Sequence, residues 1–80
     1  MSKSAKGEQG LRQVLAENVL RIRTEMGLSQ EKLGELAGLH RTYVSHVERR
    51  LSNVTLDNLE RLAAVLAVPP FALLEPQRKS

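Results

Sequence analysis

The chain has 80 residues and a formal charge of +3, so it forms one small domain that is only modestly basic. It contains no Cys, which excludes disulfides, thiolate metal sites and cysteine nucleophiles. No apolar run could span a membrane and no secretory signal is present, so we expect a cytoplasmic protein without a membrane partner. Tyr43 and Phe71 are the only aromatic residues, too few for a protein that stacks single-stranded bases on several rings.

The first ten residues, MSKSAKGEQG, are polar and predict a flexible arm, either a loose terminus or a basic segment lying along nucleic acid. The domain is expected over residues 11–76, with a short tail over residues 77–80. A first helix is indicated by apolar residues at steps of three and four, namely Leu11, Leu15, Val19, Ile22 and Met26. Gly27 is expected to end this helix.

Ser29 is expected to cap a second helix, and Gly38 to end it after about two turns. The residues of that helix predicted to face inward are Leu33, Leu36 and Ala37. A third helix is predicted from His40 or Arg41 to Arg49, with Val44 and Val47 as its buried positions.

Thr55 is expected to cap a fourth helix before VPP breaks it. Its predicted buried residues are Leu56, Leu59, Leu62, Ala63 and Leu66. Pro70 can open a last short helix, PFALLE. Five helices joined by short turns predict a compact all-α domain.

The second and third helices are joined by about three residues, which predicts a large crossing angle, as in a helix-turn-helix. Gly34 supplies the small residue that such a crossing needs, and Gly38 tolerates a positive φ in the turn. Val44 supplies a branched apolar residue behind the exposed face, and Leu39 can pack as a hydrophobic staple at the entry of the third helix.

The stretch GLSQEKLGELAGLHRTYVSHVERR resembles the phage-repressor and Cro-like (XRE-type) helix-turn-helix family, and the similarity extends over residues 11–74. Its Gly34 stands where that family more often has Ala. The stretch GLHRTYVSHVERRLSNVTLDNLERLAAVL also looks like the controller proteins of restriction–modification systems. The resemblance implies a lambda-repressor-like fold and a transcriptional regulator that binds palindromic double-stranded DNA operators as a homodimer and controls its own operon. It also implies a nucleoid location in bacteria and, for activation, a contact with RNA polymerase.

In such a protein the start of the third helix enters the major groove. Arg41 can bond bidentately to guanine, and Thr42 can offer its hydroxyl or its methyl to a base, or only cap the helix. His46 is one turn further along the same face, or merely exposed. Tyr43 points partly sideways, so it contacts a phosphate or a thymine methyl, or packs inside the domain.

Contacts with the DNA backbone are expected on both sides of these residues. The predicted set is Gln30, Ser45, Arg49, Arg50, Ser52 and Asn53. Gln30 lies at a helix N-terminus, which favours a phosphate, and the resemblance implies that it also braces the third helix. The resemblance further implies a structural ion pair between Arg23 and Glu48.

The C-terminal piece carries more apolar surface than a short helix can bury, and predicts a dimer interface of Val68, Phe71, Leu73 and Leu74. Alternatively, Phe71 and Leu74 cap the core of the monomer, in which case Leu73 is the better candidate for the interface.

We expect no enzyme, cofactor, metal or small-molecule ligand. His40 and His46 lie on different faces of a helix, and the sequence has no paired carboxylates on an apolar wall and no glycine-rich phosphate loop. The alternative function is an antitoxin or coactivator-like protein-binding module on the same fold. The hydrogen-bond donors of Arg41 and Thr42 favour a DNA groove over an apolar protein surface.

Overall fold

The structure, a computed structural model, describes residues 10–77. In this range the chain forms α1 (Leu11–Glu25), α2 (Gln30–Ala37), α3 (Arg41–Glu48), α4 (Leu56–Leu66) and a 3₁₀ helix (Pro70–Leu74), and no strand. The prediction of an all-α fold is confirmed, although the last element is a 3₁₀ helix. Except for Gly10 and Gln77, the predicted arm and tail lie outside the described residues. None of the described helices is long and apolar enough to cross a membrane.

The helix starts follow the predicted caps. Ser29 Oγ accepts a hydrogen bond of 2.9 Å from the N–H of Lys32, and Thr55 Oγ1 accepts one of 3.1 Å from the N–H of Asn58. Each bond satisfies a backbone donor that the first turn of a helix leaves unpaired. These two starts could be predicted because the capping residue is adjacent to the helix it caps.

The four α-helices end in one common way. A residue with a left-handed backbone follows each helix, and its own N–H and that of the next residue donate back to carbonyl oxygens near the end of the helix. Two of these left-handed residues are the predicted Gly27 and Gly38, but the other two are Arg50 and Ala67. The fourth helix therefore ends at Leu66 and is capped by Ala67, before the Val-Pro-Pro sequence that was expected to break it.

One hydrophobic core holds the elements together. Helices α2 and α3 pack on each other, α1 lies against α3 and the 3₁₀ helix, and α4 covers α2 and the 3₁₀ helix. The core consists of Leu15, Val19, Leu33, Ala37, Val44, Val47, Leu59, Leu62, Ala63, Leu66 and Leu73. Leu39 packs against it from the turn, as expected of a staple. Both predicted inner residues of α3 are thus buried, which leaves the opposite face of α3 free for a partner.

Four leucine and methionine residues expected inside are exposed instead: Leu11, Met26, Leu36 and Leu56. Leu11 and Leu56 are the first residues of α1 and α4, so no neighbouring element covers them, and Met26 follows the last residue of α1. Because α3 packs over Gly34, the buried face of α2 consists of Leu33, Gly34 and Ala37. Leu36 lies outside this face and is exposed.

Asn18 is the buried polar residue of α1, and the sequence analysis missed it. Its Nδ2 donates to the carbonyl oxygens of Leu73 at 2.9 Å and Glu75 at 3.0 Å, and its Oδ1 accepts from Arg21 at 3.0 Å. These bonds tie the 3₁₀ helix to α1, and the side chain of Leu73 in that helix is buried in the core.

Candidate nucleic-acid interface

The turn between α2 and α3 depends on the missing side chain of Gly34. A Cβ atom on this residue would lie 2.5 Å from the carbonyl oxygen of Leu39 and 3.3 Å from the amide nitrogen of Arg41. Both neighbours are backbone atoms, so they cannot give way as a side chain could. The N–H of Leu39 donates back to the carbonyl oxygen of Gly34 at 2.8 Å. The predicted small residue at the crossing is therefore present, and the approach is too close even for Ala.

The start of α3 is capped by a residue that the sequence analysis did not assign. His40 Nδ1 accepts a hydrogen bond of 3.0 Å from the N–H of Thr42. Through this bond the ring satisfies a backbone donor that the first turn of α3 leaves unpaired. Since His40 provides the cap, the side chain of Thr42 is not needed for it and lies exposed.

Three of the predicted base contacts lie on the exposed face of α3, namely Arg41, Thr42 and His46. Arg41 Nη1 lies 3.4 Å from Glu31 Oε1 of α2, and both side chains are mostly exposed. An exposed ion pair of this kind contributes about 0–1 kcal/mol, so Arg41 can exchange this partner for another at little cost. Ser45 is half-buried at the edge of the same face.

Tyr43 differs from the other three predicted base contacts. Its side chain is half-buried and packs against the hydrophobic core, and its hydroxyl is buried without a hydrogen-bond partner. The reason is its position one turn before Val47, on the inward side of α3. The structure thus supports the packing alternative for Tyr43, and we remove its hydroxyl from the set of base contacts.

A network centred on Glu48 fixes the far end of α3. Arg23 of α1 donates to both carboxylate oxygens, at 2.6 Å from Nε and 2.9 Å from Nη2, and its Nη1 donates to the carbonyl oxygen of Leu28 at 2.9 Å. Gln30 Nε2 of α2 donates to Glu48 Oε1 at 2.9 Å. The ion pair implied by the resemblance is thus present, and Gln30 braces α3 directly.

The Arg23–Glu48 pair is largely shielded from solvent, with 14% and 7% of the two side chains exposed. The hydrogen bond to Glu48 raises the pKa of Arg23 from its ordinary value, against the opposing effect of burial. The network therefore holds α1, α2 and α3 together as one frame behind the exposed face.

The comparison with known proteins agrees with this geometry. A family model described as "Helix-turn-helix" matches residues 19–73, which include α2, the turn and α3. The chain belongs to the helix-turn-helix family.

Its relatives include named regulators. The control protein C.SmaI of Serratia marcescens is 52% identical over 67 residues, which are 84% of this chain and 80% of that protein. The restriction–modification controller protein C.AhdI from Aeromonas hydrophila has a crystal structure with a TM-score of 0.75 at 42% identity, covering 78% of this chain and 94% of its own. The crystal structure of SinR, a master regulator for biofilm formation, in complex with DNA has a TM-score of 0.73 at 35% identity, covering 76% of this chain and 98% of its own. The chain is a transcriptional regulator of the helix-turn-helix family, related to restriction–modification controllers.

The segment that follows the helix-turn-helix, residues 49–55, carries most of the predicted backbone contacts. Arg49, Arg50 and Asn53 are exposed and Ser52 is half-buried. Arg12 of α1 reaches this segment, where its Nε donates to the carbonyl oxygen of Ser52 at 3.1 Å and its Nη2 donates to Asn53 Oδ1. Arg12 was not predicted from the sequence, because a contact across 40 residues leaves no local signal.

The predicted dimer interface of this helix-turn-helix protein needs one correction. Leu73 is fully buried in the monomer core, with 0% of its surface exposed, whereas Phe71 is 64% exposed. Val68 and Leu74 are half-buried and pack against the core. The prediction that Leu73 contacts a second chain is wrong, because its side chain is fully buried in the core of the monomer. Of the four predicted interface residues, Phe71 is the one whose side chain is exposed.

Proposed function

We propose that this helix-turn-helix protein binds inverted-repeat DNA operators as a homodimer and controls transcription of its own operon. The exposed face of α3 supports this proposal: Arg41, Thr42 and His46 point outward while Val44 and Val47 are buried behind them. An α-helix presented in this way fits the major groove of B-form DNA. Such a protein acts at the bacterial nucleoid in the cytoplasm, and activation would require a contact with RNA polymerase.

The exposed face offers donors that suit base edges. Arg41 begins α3, and its guanidinium can bond to guanine O6 and N7 in place of Glu31. Thr42 has a hydroxyl that is free of the helix cap, because His40 provides the cap. His46 lies one turn further along, so the three side chains can address successive base pairs.

Contacts with phosphates would flank the base contacts. Before α3, one N–H of the Gln30 amide is engaged by Glu48, and the other is available to a phosphate oxygen. After α3, two exposed arginines and two polar residues follow one another, and Ser45 lies between the two groups. The proposed set on this side is Arg49, Arg50, Ser52 and Asn53.

A homodimer would give the specificity that one recognition helix lacks. Two-fold symmetry places two recognition helices in successive major grooves, roughly 34 Å apart. In the C-terminal piece, Phe71 offers the largest exposed apolar surface. Leu74 lines an apolar groove with Leu11 and Leu56, so an interface that begins at the 3₁₀ helix can extend over the ends of α1 and α4.

Selection of bound duplexes from a random library at fixed salt tests the proposed specificity. The expected result is an inverted repeat with half-sites about one helical turn apart. On that duplex Arg41→Ala should cost about 1–3 kcal/mol of binding free energy and relax the preference at one base pair. A library that returns no preferred sequence would refute the proposal. An equal loss on all sequences would instead make Arg41 a phosphate contact.

Sedimentation equilibrium of the free protein tests the dimer. Phe71→Ser should shift the monomer–dimer equilibrium toward the monomer. Met26→Ser, which also removes an exposed apolar side chain but lies after α1, should leave the equilibrium unchanged. Equal behaviour of the two variants would remove the 3₁₀ helix from the interface.

A further inference from the structure

The segment after α3, residues 52–54, receives two hydrogen bonds from a side chain in the first turn of α1. Arg12, in the first turn of α1, donates from Nε to the carbonyl oxygen of Ser52 and from Nη2 to Asn53 Oδ1. Within residues 10–77, residues 52–54 take part in no backbone–backbone hydrogen bond, since Leu51 bonds back to α3 and the next such bond begins at Thr55. The packing of Val54 against the core and the two bonds from Arg12 therefore fix the position of this short segment, and Arg12 is the contact that acts on Ser52 and Asn53.

The hydrogen bond to Arg12 also determines the orientation of the Asn53 amide. A guanidinium carries only donors, so it can pair with the oxygen of the amide but not with its nitrogen. The Asn53 amide must therefore turn Oδ1 toward Arg12. Its Nδ2, with two N–H donors, is then left for another acceptor, on an exposed residue at the end of the basic segment.

We infer that Arg12 is a positioning residue for DNA binding: it holds Ser52 and Asn53 so that the Asn53 N–H groups meet a DNA phosphate. This inference rests on the proposed function. A side chain that is already oriented loses less conformational freedom on binding than one that must be ordered by the ligand. Arg12 thus contributes to affinity through Asn53, and not by neutralising a phosphate itself.

The salt dependence of binding separates positioning from a direct contact. A lost phosphate contact lowers the slope of log K against log[salt] by about one, whereas a lost positioning bond leaves the slope unchanged. We expect Arg12→Met, which keeps an unbranched apolar stem and loses the donors, to weaken binding about three- to tenfold at an unchanged slope. Arg12→Lys keeps the charge but not the planar fork, and should weaken binding nearly as much.

A double-mutant cycle tests whether Arg12 acts through Asn53. Asn53→Ala alone should weaken binding by a similar factor. Adding Arg12→Met to Asn53→Ala should then cost less than about twofold more, because the residue that Arg12 orients is already gone. Independent losses that multiply would overturn the inference, as would a slope that falls by one in Arg12→Met or full affinity in Arg12→Lys.

Urea unfolding of each variant distinguishes a loss of fold stability from a loss of DNA affinity. Titrations are made where all variants are folded, so a residue that only stabilises the fold would shift the unfolding midpoint and leave the affinity unchanged. That outcome would also overturn the inference. If the native protein selects an inverted repeat and Arg12→Met binds it as tightly, the inference alone fails. If the native protein selects no sequence, the proposed function fails with it.

Discussion

Both ends of α3 adjoin a residue with a left-handed backbone, but the residue is Gly at one end and Arg at the other. The chain enters α3 through Gly38, which has a φ of 74°, and leaves it through Arg50, which has a φ of 64°. In both turns two N–H groups bond back to the preceding helix in the same pattern. Gly38 adopts the left-handed conformation without steric cost, whereas a residue with a Cβ atom loses about 1 kcal/mol there.

The entry to α3 is fixed by contacts between backbone atoms, whereas the exit from α3 depends on side-chain contacts. The entry is defined by backbone packing, with Gly34 against Leu39. At the exit, Glu48 ties the last residue of α3 to α1 and α2. The exit carries a cation where Gly would fit better, and Arg12 holds the residues beyond it. We expect the entry to set which bases are read, and the exit to set how strongly the backbone is held.

Glu48→Ala should break the rigid frame with the largest effect. It leaves the shielded guanidinium of Arg23 without its partner and Gln30 without its acceptor. Removal of one partner of a buried ion pair typically lowers the free energy of unfolding by about 3–5 kcal/mol. The matched control is Glu31→Ala, which removes the exposed partner of Arg41 and should cost less than about 1 kcal/mol. Urea denaturation followed by circular dichroism measures both, and equal losses would contradict a special role for Glu48.

Gly34→Ala should open the turn at the entry. The new Cβ would meet the carbonyl oxygen of Leu39 at 2.5 Å, so the two helices must move apart. Over-packing of this kind costs about 1–3 kcal/mol, although Ala itself favours a helix by about 1 kcal/mol relative to Gly. Gly10→Ala is the control, since a Cβ there meets nothing within 4 Å. A Gly34→Ala variant as stable as the native protein would show that α2 and the turn residue Leu39 are not packed as closely as the 2.5 Å distance implies.

Tyr43→Phe tests whether the side of α3 that carries Tyr43 faces the core or the DNA. Removal of a buried hydroxyl without a partner should raise the free energy of unfolding by about 1 kcal/mol, and DNA affinity should be unchanged. Thr42→Ala, the exposed neighbour, should do the opposite: similar stability and weaker binding at the preferred sequence. A loss of affinity in Tyr43→Phe would return this hydroxyl to the DNA contacts.

Local signals explain what could be predicted of the fold. Ser29 and Thr55 cap the helices beside them, and Gly38 ends its helix with a conformation that Gly readily adopts. Apolar residues at helical spacing identified most of the core. The same spacing failed at the first turns of helices, where Leu11 and Leu56 have the right period but no neighbour to cover them.

The features that could not be predicted depend on residues far apart in the chain. Leu73 is buried in a 3₁₀ helix that Asn18, 55 residues earlier, ties to α1 through the carbonyl oxygen of Leu73. The Arg12 contact with Ser52 leaves no pattern in either local sequence. The left-handed conformation of Arg50 was missed for another reason: Arg disfavours it, and the surrounding fold imposes it.

Arg50→Gly tests the exit with the smallest expected effect on stability. Gly relieves the left-handed strain but adds freedom to the unfolded chain, so the free energy of unfolding should rise by no more than about 1 kcal/mol. DNA binding should weaken across sequences, and its salt slope should fall by about one, because a cation is lost. The neighbouring Arg49 has a φ of −94°, so Arg49→Gly removes the same charge without relieving strain and should destabilise the fold. If both variants lose stability equally, Arg50 is not strained, and the two ends of α3 differ in charge alone.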